Sequence, residues 1–273
     1  VSKAITRSGT LRQECREGPP SSRLFPEFNT CTVTGRVTMH TLDLQTLPKA
    51  FPARTRGRGE DELVNMRDLV VPGEGCRLLA ADYRNIEMRL MAHFSGDEGL
   101  LACFGDGGGG VDFFRRLAAR IFGKRGEGEV TDAERQRAKA VAYGLSYGLG
   151  PAGMAQNFKD IRMTSEQAED FLGRFNGAFP RFRDWRTEQI ADCEKKRLAK
   201  SLAGRIRFFR EGEGVVTKAC NTVVQSSAAD LVKRAMWRVH THATLSNMAR
   251  MVLQIHDELL FEVDSRHVDE AAR

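Results

Sequence analysis

Two carboxylates sit where apolar, strand-like runs end. Leu78-Leu79-Ala80-Ala81 leads into Asp82-Tyr83, and much later Met251-Val252-Leu253-Gln254-Ile255 leads into His256-Asp257-Glu258. Between them a helix-like segment carries Arg135, Lys139, Tyr143 and Tyr147 at intervals of four, the spacing of one helix face. Strand-end aspartates can hold divalent metals, and a cationic helix face can hold a triphosphate. Together they suggest nucleotidyl transfer with two metal ions. Each feature alone has a plainer reading: adjacent acids in a βαβ protein, or an amphipathic surface stripe.

Composition bounds the problem. The chain has 273 residues, 41% of them hydrophobic, enough for a large core and more than one subdomain. A formal net charge of +6 favours polyanionic partners such as nucleic acid, although a solvated basic surface accounts for charge equally well. Cys15, Cys31, Cys76, Cys103, Cys193 and Cys220 form no C-x-x-C pair and no zinc spacing. They read as reduced thiols in an intracellular protein. No apolar run approaches the ~20 residues of a membrane span, so no membrane partner is expected. The chain opens on Val1 and stops in a helix-like run, Asp269 to Arg273, which reads as part of something larger.

The elements that must position these residues follow from patterning. Residues 1–22 are weakly patterned, and 23–48 suggest short strands. Residues 49–62, basic and poor in apolar side chains, read as an exposed loop or insertion. Residues 76–82 read as a buried-type strand, and from Ile86 apolar positions recur at helical spacing. Gly107 to Gly110 reads as a flexible connection. Residues 111–122 are helical, and Thr131-Asp132-Ala133-Glu134 is a capping box that opens the next helix. Long amphipathic helices over 165–200 break near Gly177 and Pro180. Another helix spans Thr217 to Thr241, and 251–263 is a hairpin with His256-Asp257 at its tip.

The string Asp82-Tyr83-Arg84-Asn85-Ile86-Glu87-Met88-Arg89 resembles motif A of the family A DNA polymerases, the DNA polymerase I type. Arg135 to Lys139, continuing through Tyr143-Gly144 to Tyr147-Gly148, resembles motif B. Gln254-Ile255-His256-Asp257-Glu258-Leu259 resembles motif C. The three stand in the family's order. The resemblance implies an α+β right-hand polymerase fold, with an antiparallel palm sheet, helical fingers and most of the thumb missing. It divides the chain into an N-terminal remnant (1–22), a first palm part with motif A and a basic insertion at 49–62 (23–96), fingers with motif B (97–200) and a second palm part with motif C (201–273).

It also implies roles. Asp82 and Asp257 would bridge two magnesium ions, manganese being a second option, with the Tyr83 carbonyl as a further ligand and Glu258 beside the primer terminus. Arg135 and Lys139 would bind the β- and γ-phosphates of a deoxynucleoside triphosphate, and Lys139 would protonate the leaving pyrophosphate. Tyr143 would pack by the sugar, Tyr147 would lie under the templating position, and Glu87 would exclude a ribose 2′-hydroxyl. Arg36, Gln45, Asn221, Gln225 and His256 would contact primer–template DNA.

The implied activity is template-directed DNA synthesis from a primer 3′ end. Tyr143, Phe114 and Asn221-Thr222-Val223-Val224-Gln225 are similar to the eukaryotic polymerase theta branch, which implies end joining or translesion repair in the nucleus. Arg84-Asn85, where the family usually has Ser-Gln or Ser-Leu, is a departure. The alternatives are a bacterial or organellar replication–repair polymerase of the same family, and a catalytically inactive nucleic-acid-binding module.

Overall fold

The computed structural model describes residues 23, 25–40, 43–47, 51–54, 61–105, 110, 112–158, 161 and 163–273. The expectations for residues 1–22, for Gly107 to Gly109 and for the tip of the basic segment fall outside these. Nine strands follow in chain order: β1 (Phe28–Asn29), β2 (Thr38–Met39), β3 (Phe51–Arg54), β4 (Asp61–Val64), β5 (Cys76–Asp82), β6 (Leu198–Lys200), β7 (Ile206–Phe208), β8 (Ala249–Ile255) and β9 (Glu258–Asp264), counted among the described residues. The helices are α1 (Ile86–Ser95), α2 (Glu98–Ala102), α3 (Phe113–Ile121), α4 (Asp132–Ser146), α5 (Pro151–Asn157), α6 (Ser165–Ala178), α7 (Pro180–Lys196), α8 (Val215–Thr241), α9 (Leu245–Met248) and α10 (Val268–Ala271). They form two units. One contains residues up to Arg84 and Leu231–Arg273; the other is Asn85–Asp230, so α8 contributes to both.

In the first unit β5, β9 and β8 form a three-stranded antiparallel sheet in that order. β8 and β9 are joined by the two-residue tip His256-Asp257, the expected tip of a hairpin over 251–263. The registers between β8 and β9 shift between Met251 and Leu253, a bulge that bends the strand. Leu253, Leu259, Phe261 and Val263 are buried. β5 departs from the reading of a buried strand: none of its residues is buried, and Ala80, Ala81 and Asp82 are exposed. Among the described residues it is an edge strand, with a partner on one side only. The basic segment also departs from a plain loop. β3 and β4 pair antiparallel from Phe51↔Val64 to Arg54↔Asp61.

The second unit is mostly helical. Thr131 and Glu134 close the expected capping box on α4, which satisfies two of the orphan N–H groups at its start. Buried Asp97 begins two helices at once: Oδ1 accepts from the Leu100 N–H of α2, and Oδ2 from the Arg181 and Phe182 N–H groups of α7. Phe175, Phe179 and Phe182 are almost wholly buried around the break between α6 and α7, with ring centroids 4.8 and 5.4 Å from Phe175. Phe94 stacks on Trp185 at 5.9 Å beside a buried cluster of Cys193, Ala199, Phe209, Val215, Ala219 and Val223. Arg205 and Ser201 bind Asp230, which fastens the β6–β7 hairpin to α8.

Candidate active site

The sheet of the first unit brings the two expected aspartates to one end. β5 and β9 are registered so that Asp82 lies opposite Glu258. The Tyr83 N–H donates to the Asp257 carbonyl at 3.3 Å, which extends the ladder past the strand end. Four members of the expected set, Asp82, Tyr83, Asp257 and Glu258, therefore sit on neighbouring strand ends. The backbone there is strained. Among the described non-glycine residues only Arg84 (φ 29°), Asn85 (φ 60°), Arg197 (φ 54°) and His256 (φ 57°) take positive φ. Three of these four are within three residues of Asp82 or Asp257. Left-handed backbone costs on the order of 1–3 kcal/mol per residue and tends to collect at functional sites. At His256 it allows the tight hairpin; at Arg84 it turns the N–H back onto Asp82 Oδ1 at 2.6 Å.

Among the described residues no cluster of three or more His, Cys, Asp and Glu side chains is arranged to hold a metal. The donors at this end are carboxylates and main-chain carbonyls. That hard-oxygen set suits magnesium, which keeps several waters and needs few protein ligands. His256 is exposed, and its carbonyl accepts from the buried Gln254 side chain. Gln45, also buried, donates to the Val37 carbonyl, the Gln254 carbonyl and Gln254 Oε1 at 3.0, 3.0 and 3.2 Å. Gln45 thus supports the hairpin tip from within the protein. Arg36 is half-buried between the Thr32–Gly35 turn and β2.

The second unit carries the cationic face. Arg135, Lys139 and Tyr143 are half-buried along α4 and Tyr147 is exposed at its end. Arg135, Lys139 and Tyr143 share a floor, the Phe114 ring of α3. The Arg135 guanidinium lies 5.9 Å from its centroid and the Lys139 ammonium 5.6 Å, within cation–π range. Tyr143 lies 5.8 Å from Phe114 and 6.3 Å from Tyr147. Glu87 is half-buried in the first turn of α1. On α8, Asn221 donates through Nδ2 to the Ser146 carbonyl at 2.9 Å, and Gln225 is half-buried one turn on.

Sequence reasoning missed Asp112. It caps α3, with Oδ1 accepting from the Phe114 and Arg115 N–H groups at 3.0 and 3.1 Å, while Oδ2 accepts from Arg135 Nε at 2.6 Å. Burial alone would raise the Asp112 carboxyl, but the Arg135 and main-chain hydrogen bonds outweigh it and hold the group below the usual carboxylate range. The available signal was an Asp directly before the apolar run Phe113-Phe114, an N-cap pattern, but its second partner lies on another helix.

Residues 9–273 match the family model of DNA polymerase family A. DNA polymerase I of Mycobacterium tuberculosis (strain ATCC 25618 / H37Rv) is 36% identical over 271 residues, covering 95% of this chain and 28% of that protein. The thermostable DNA polymerase I of Thermus aquaticus is 33% identical over 265 residues, covering 93% of this chain and 30% of the other. Among solved structures, the POL domain of Pol1 from M. smegmatis, in complex with DNA primer-template and dNTP, superposes with a TM-score of 0.81 at 32% identity. That match covers 99% of this chain and 47% of the other. The fold is therefore of the polymerase-domain class, with mixed helices and antiparallel sheets. The chain belongs to DNA polymerase family A. It spans less than a third of the length of the curated relatives described here.

Proposed function

We propose that this chain is the nucleotidyl-transfer part of a DNA-directed DNA polymerase, which adds deoxynucleotides to a primer 3′ end and releases pyrophosphate. The observation that carries the reading is the register that sets Asp82 against Glu258, with Tyr83 bonded to Asp257, at one end of a sheet in a family A chain. Asp82, Asp257 and the Tyr83 carbonyl would hold two magnesium ions, or manganese. When bound, such ions lower the pKa of an attacking hydroxyl and neutralise a pyrophosphate leaving group.

The chain's own residues do the rest. Arg135 and Lys139 grip the triphosphate, and Lys139 stands as the proton donor to pyrophosphate. Tyr143 packs on the sugar, Glu87 rejects a 2′-hydroxyl, and Tyr147 supports the template base. Glu258, Arg36, His256, Asn221 and Gln225 orient primer–template DNA, while Gln45 acts from behind by supporting the hairpin. The substrates are primer–template DNA and deoxynucleoside triphosphates, in keeping with the contents of the M. smegmatis complex.

DNA repair is the context we propose. The bacterial relatives support the bacterial replication–repair reading, and with it a bacterial cytoplasm rather than a nucleus. The test is single-turnover primer extension with magnesium by the full-length protein carrying this chain. Asp82→Ala and Asp257→Ala should each abolish extension and leave DNA affinity nearly intact, because affinity rests on phosphate contacts elsewhere. Near-normal extension by either variant rejects the assignment and favours a nucleic-acid-binding module.

A further inference from the structure

We propose that Asp112 is a positioning residue for nucleotide binding: it holds Arg135 by Nε and so presents the guanidinium's two Nη groups to the triphosphate. The inference rests on the phosphate-binding reading of Arg135 above. Three observations carry it.

First, the two oxygens of Asp112 have separate tasks. Oδ1 is fixed by two main-chain N–H groups at the start of α3, so Oδ2 has a defined direction, and Arg135 Nε meets it at 2.6 Å. Second, the helices that carry the pair are tied together next to it. Arg115, also in the first turn of α3, donates from Nη1 to the Val130 carbonyl at 2.5 Å and pairs through Nη2 with Asp132 at the start of α4. Third, an arginine held side-on through Nε keeps the end of its fork, the part that binds an anion through two parallel hydrogen bonds. Phe114 beneath the guanidinium limits its remaining freedom.

The rival reading makes Asp112 a competitor that keeps Arg135 from phosphate. The geometry speaks against it. Nε and the two Nη groups are different donors, so a phosphate need not displace the carboxylate. The negative charge of Asp112 does weaken the field felt by the triphosphate, but an arginine already ordered avoids the entropy of immobilising a long side chain on binding. Because Asp112 is held below the usual carboxylate range, the anchor is ionised throughout neutral pH.

The experiment uses the full-length protein and deoxythymidine triphosphate opposite a template adenine, with single-turnover kinetics that separate apparent nucleotide Kd from maximal rate. Asp112→Ser keeps a hydroxyl able to cap α3 and removes the arm that reaches Arg135. We expect its Kd to rise about tenfold, a difference of about 1.4 kcal/mol, with maximal rate little changed. Asp112→Asn, which keeps a neutral acceptor, should fall between it and the parent. In an Arg135→Ala background, Asp112→Ser should add nothing further to Kd. An unchanged or tighter Kd for Asp112→Ser overturns the proposal, as does an additive double variant, which would mark Asp112 as a helix cap only. If Arg135→Ala alone leaves Kd unchanged, the phosphate-binding reading itself fails, and that outcome is separately recognisable.

Discussion

Replacing Gly148 by Ala should be among the most damaging single-methyl changes in the chain. Gly148 ends α4 in a left-handed conformation, φ +68°. Its N–H reaches the Leu145 carbonyl at 3.0 Å, and the next N–H, of Leu149, reaches the Gly144 carbonyl at 2.8 Å. This is the paired closure of a Schellman cap, in which glycine is favoured. A Cβ at this position would stand 1.8 Å from the Thr217 carbonyl oxygen and 2.7 Å from its carbon, both main-chain atoms of α8. The left-handed backbone costs an alanine roughly 1–2 kcal/mol. Forcing two helices apart adds the cost of overpacking, roughly 1–3 kcal/mol. The sum is about 2–5 kcal/mol, or roughly 4–20 °C in Tm for a domain of this size. Two controls separate the terms. Gly212 has φ +76° and nothing within 4 Å of its added Cβ, so Gly212→Ala should show the backbone cost alone. Gly173, inside α6 with open space around it, should gain roughly 0.5–1 kcal/mol as alanine. Urea unfolding midpoints of the three variants give the comparison. If Gly148→Ala is no worse than Gly212→Ala, the close approach of α4 to α8 is refuted.

Asn221→Ala should lower stability by about 1–3 kcal/mol, read by urea unfolding, because it leaves the Ser146 carbonyl at the end of α4 without its Nδ2 donor. Glu213 is held down to about 2, from an ordinary 4.5, by hydrogen bonds from Lys218, the Arg210 N–H and Arg207. Its stabilisation is therefore complete above pH about 4.5 and lost as pH falls towards 2, since the unfolded chain binds the proton first. Glu213→Gln should flatten stability against pH across that window, and an unchanged slope there would count against the ion pair.

Much of the frame was legible because local chemistry decides it. Thr131 and Glu134 cap α4 through bonds three residues apart, and Pro180 starts α7 at its first position, where a missing N–H costs nothing. The β8–β9 hairpin follows from the apolar strand-like runs on both sides of His256-Asp257. The failures are non-local. An apolar run such as Leu78 to Ala81 cannot reveal that its strand lies at a sheet edge. The basic stretch around Phe51 lacks strand alternation, yet its ladder with Asp61–Val64 forms across residues that composition marks as a turn. The spacing of Arg135, Lys139 and Tyr143 gave their common face. It could not give Phe114 beneath them or Asp112 beside them, because both come from another helix.

The same contrast locates function. Where local rules hold, as in the capped helices of the second unit, residues are explained by the element that contains them. Where they are broken, another demand must compensate. Arg84 and Asn85 are consecutive left-handed residues in a sequence that has glycines available elsewhere for such conformations. A chain selected only for stability would place glycine there, which carries no steric penalty at positive φ. Instead, strain is retained next to Asp82, and one product of it is visible: the Arg84 N–H directed at Asp82 Oδ1. A charge-assisted bond of that kind fixes one carboxylate oxygen and leaves the orientation of the other determined. His256 does the corresponding work on the other strand, where its left-handed turn sets the direction in which Asp257 leaves β8. Backbone geometry thus acts at both strand ends that carry the aspartates, through the Arg84 N–H at Asp82 and the left-handed turn at His256.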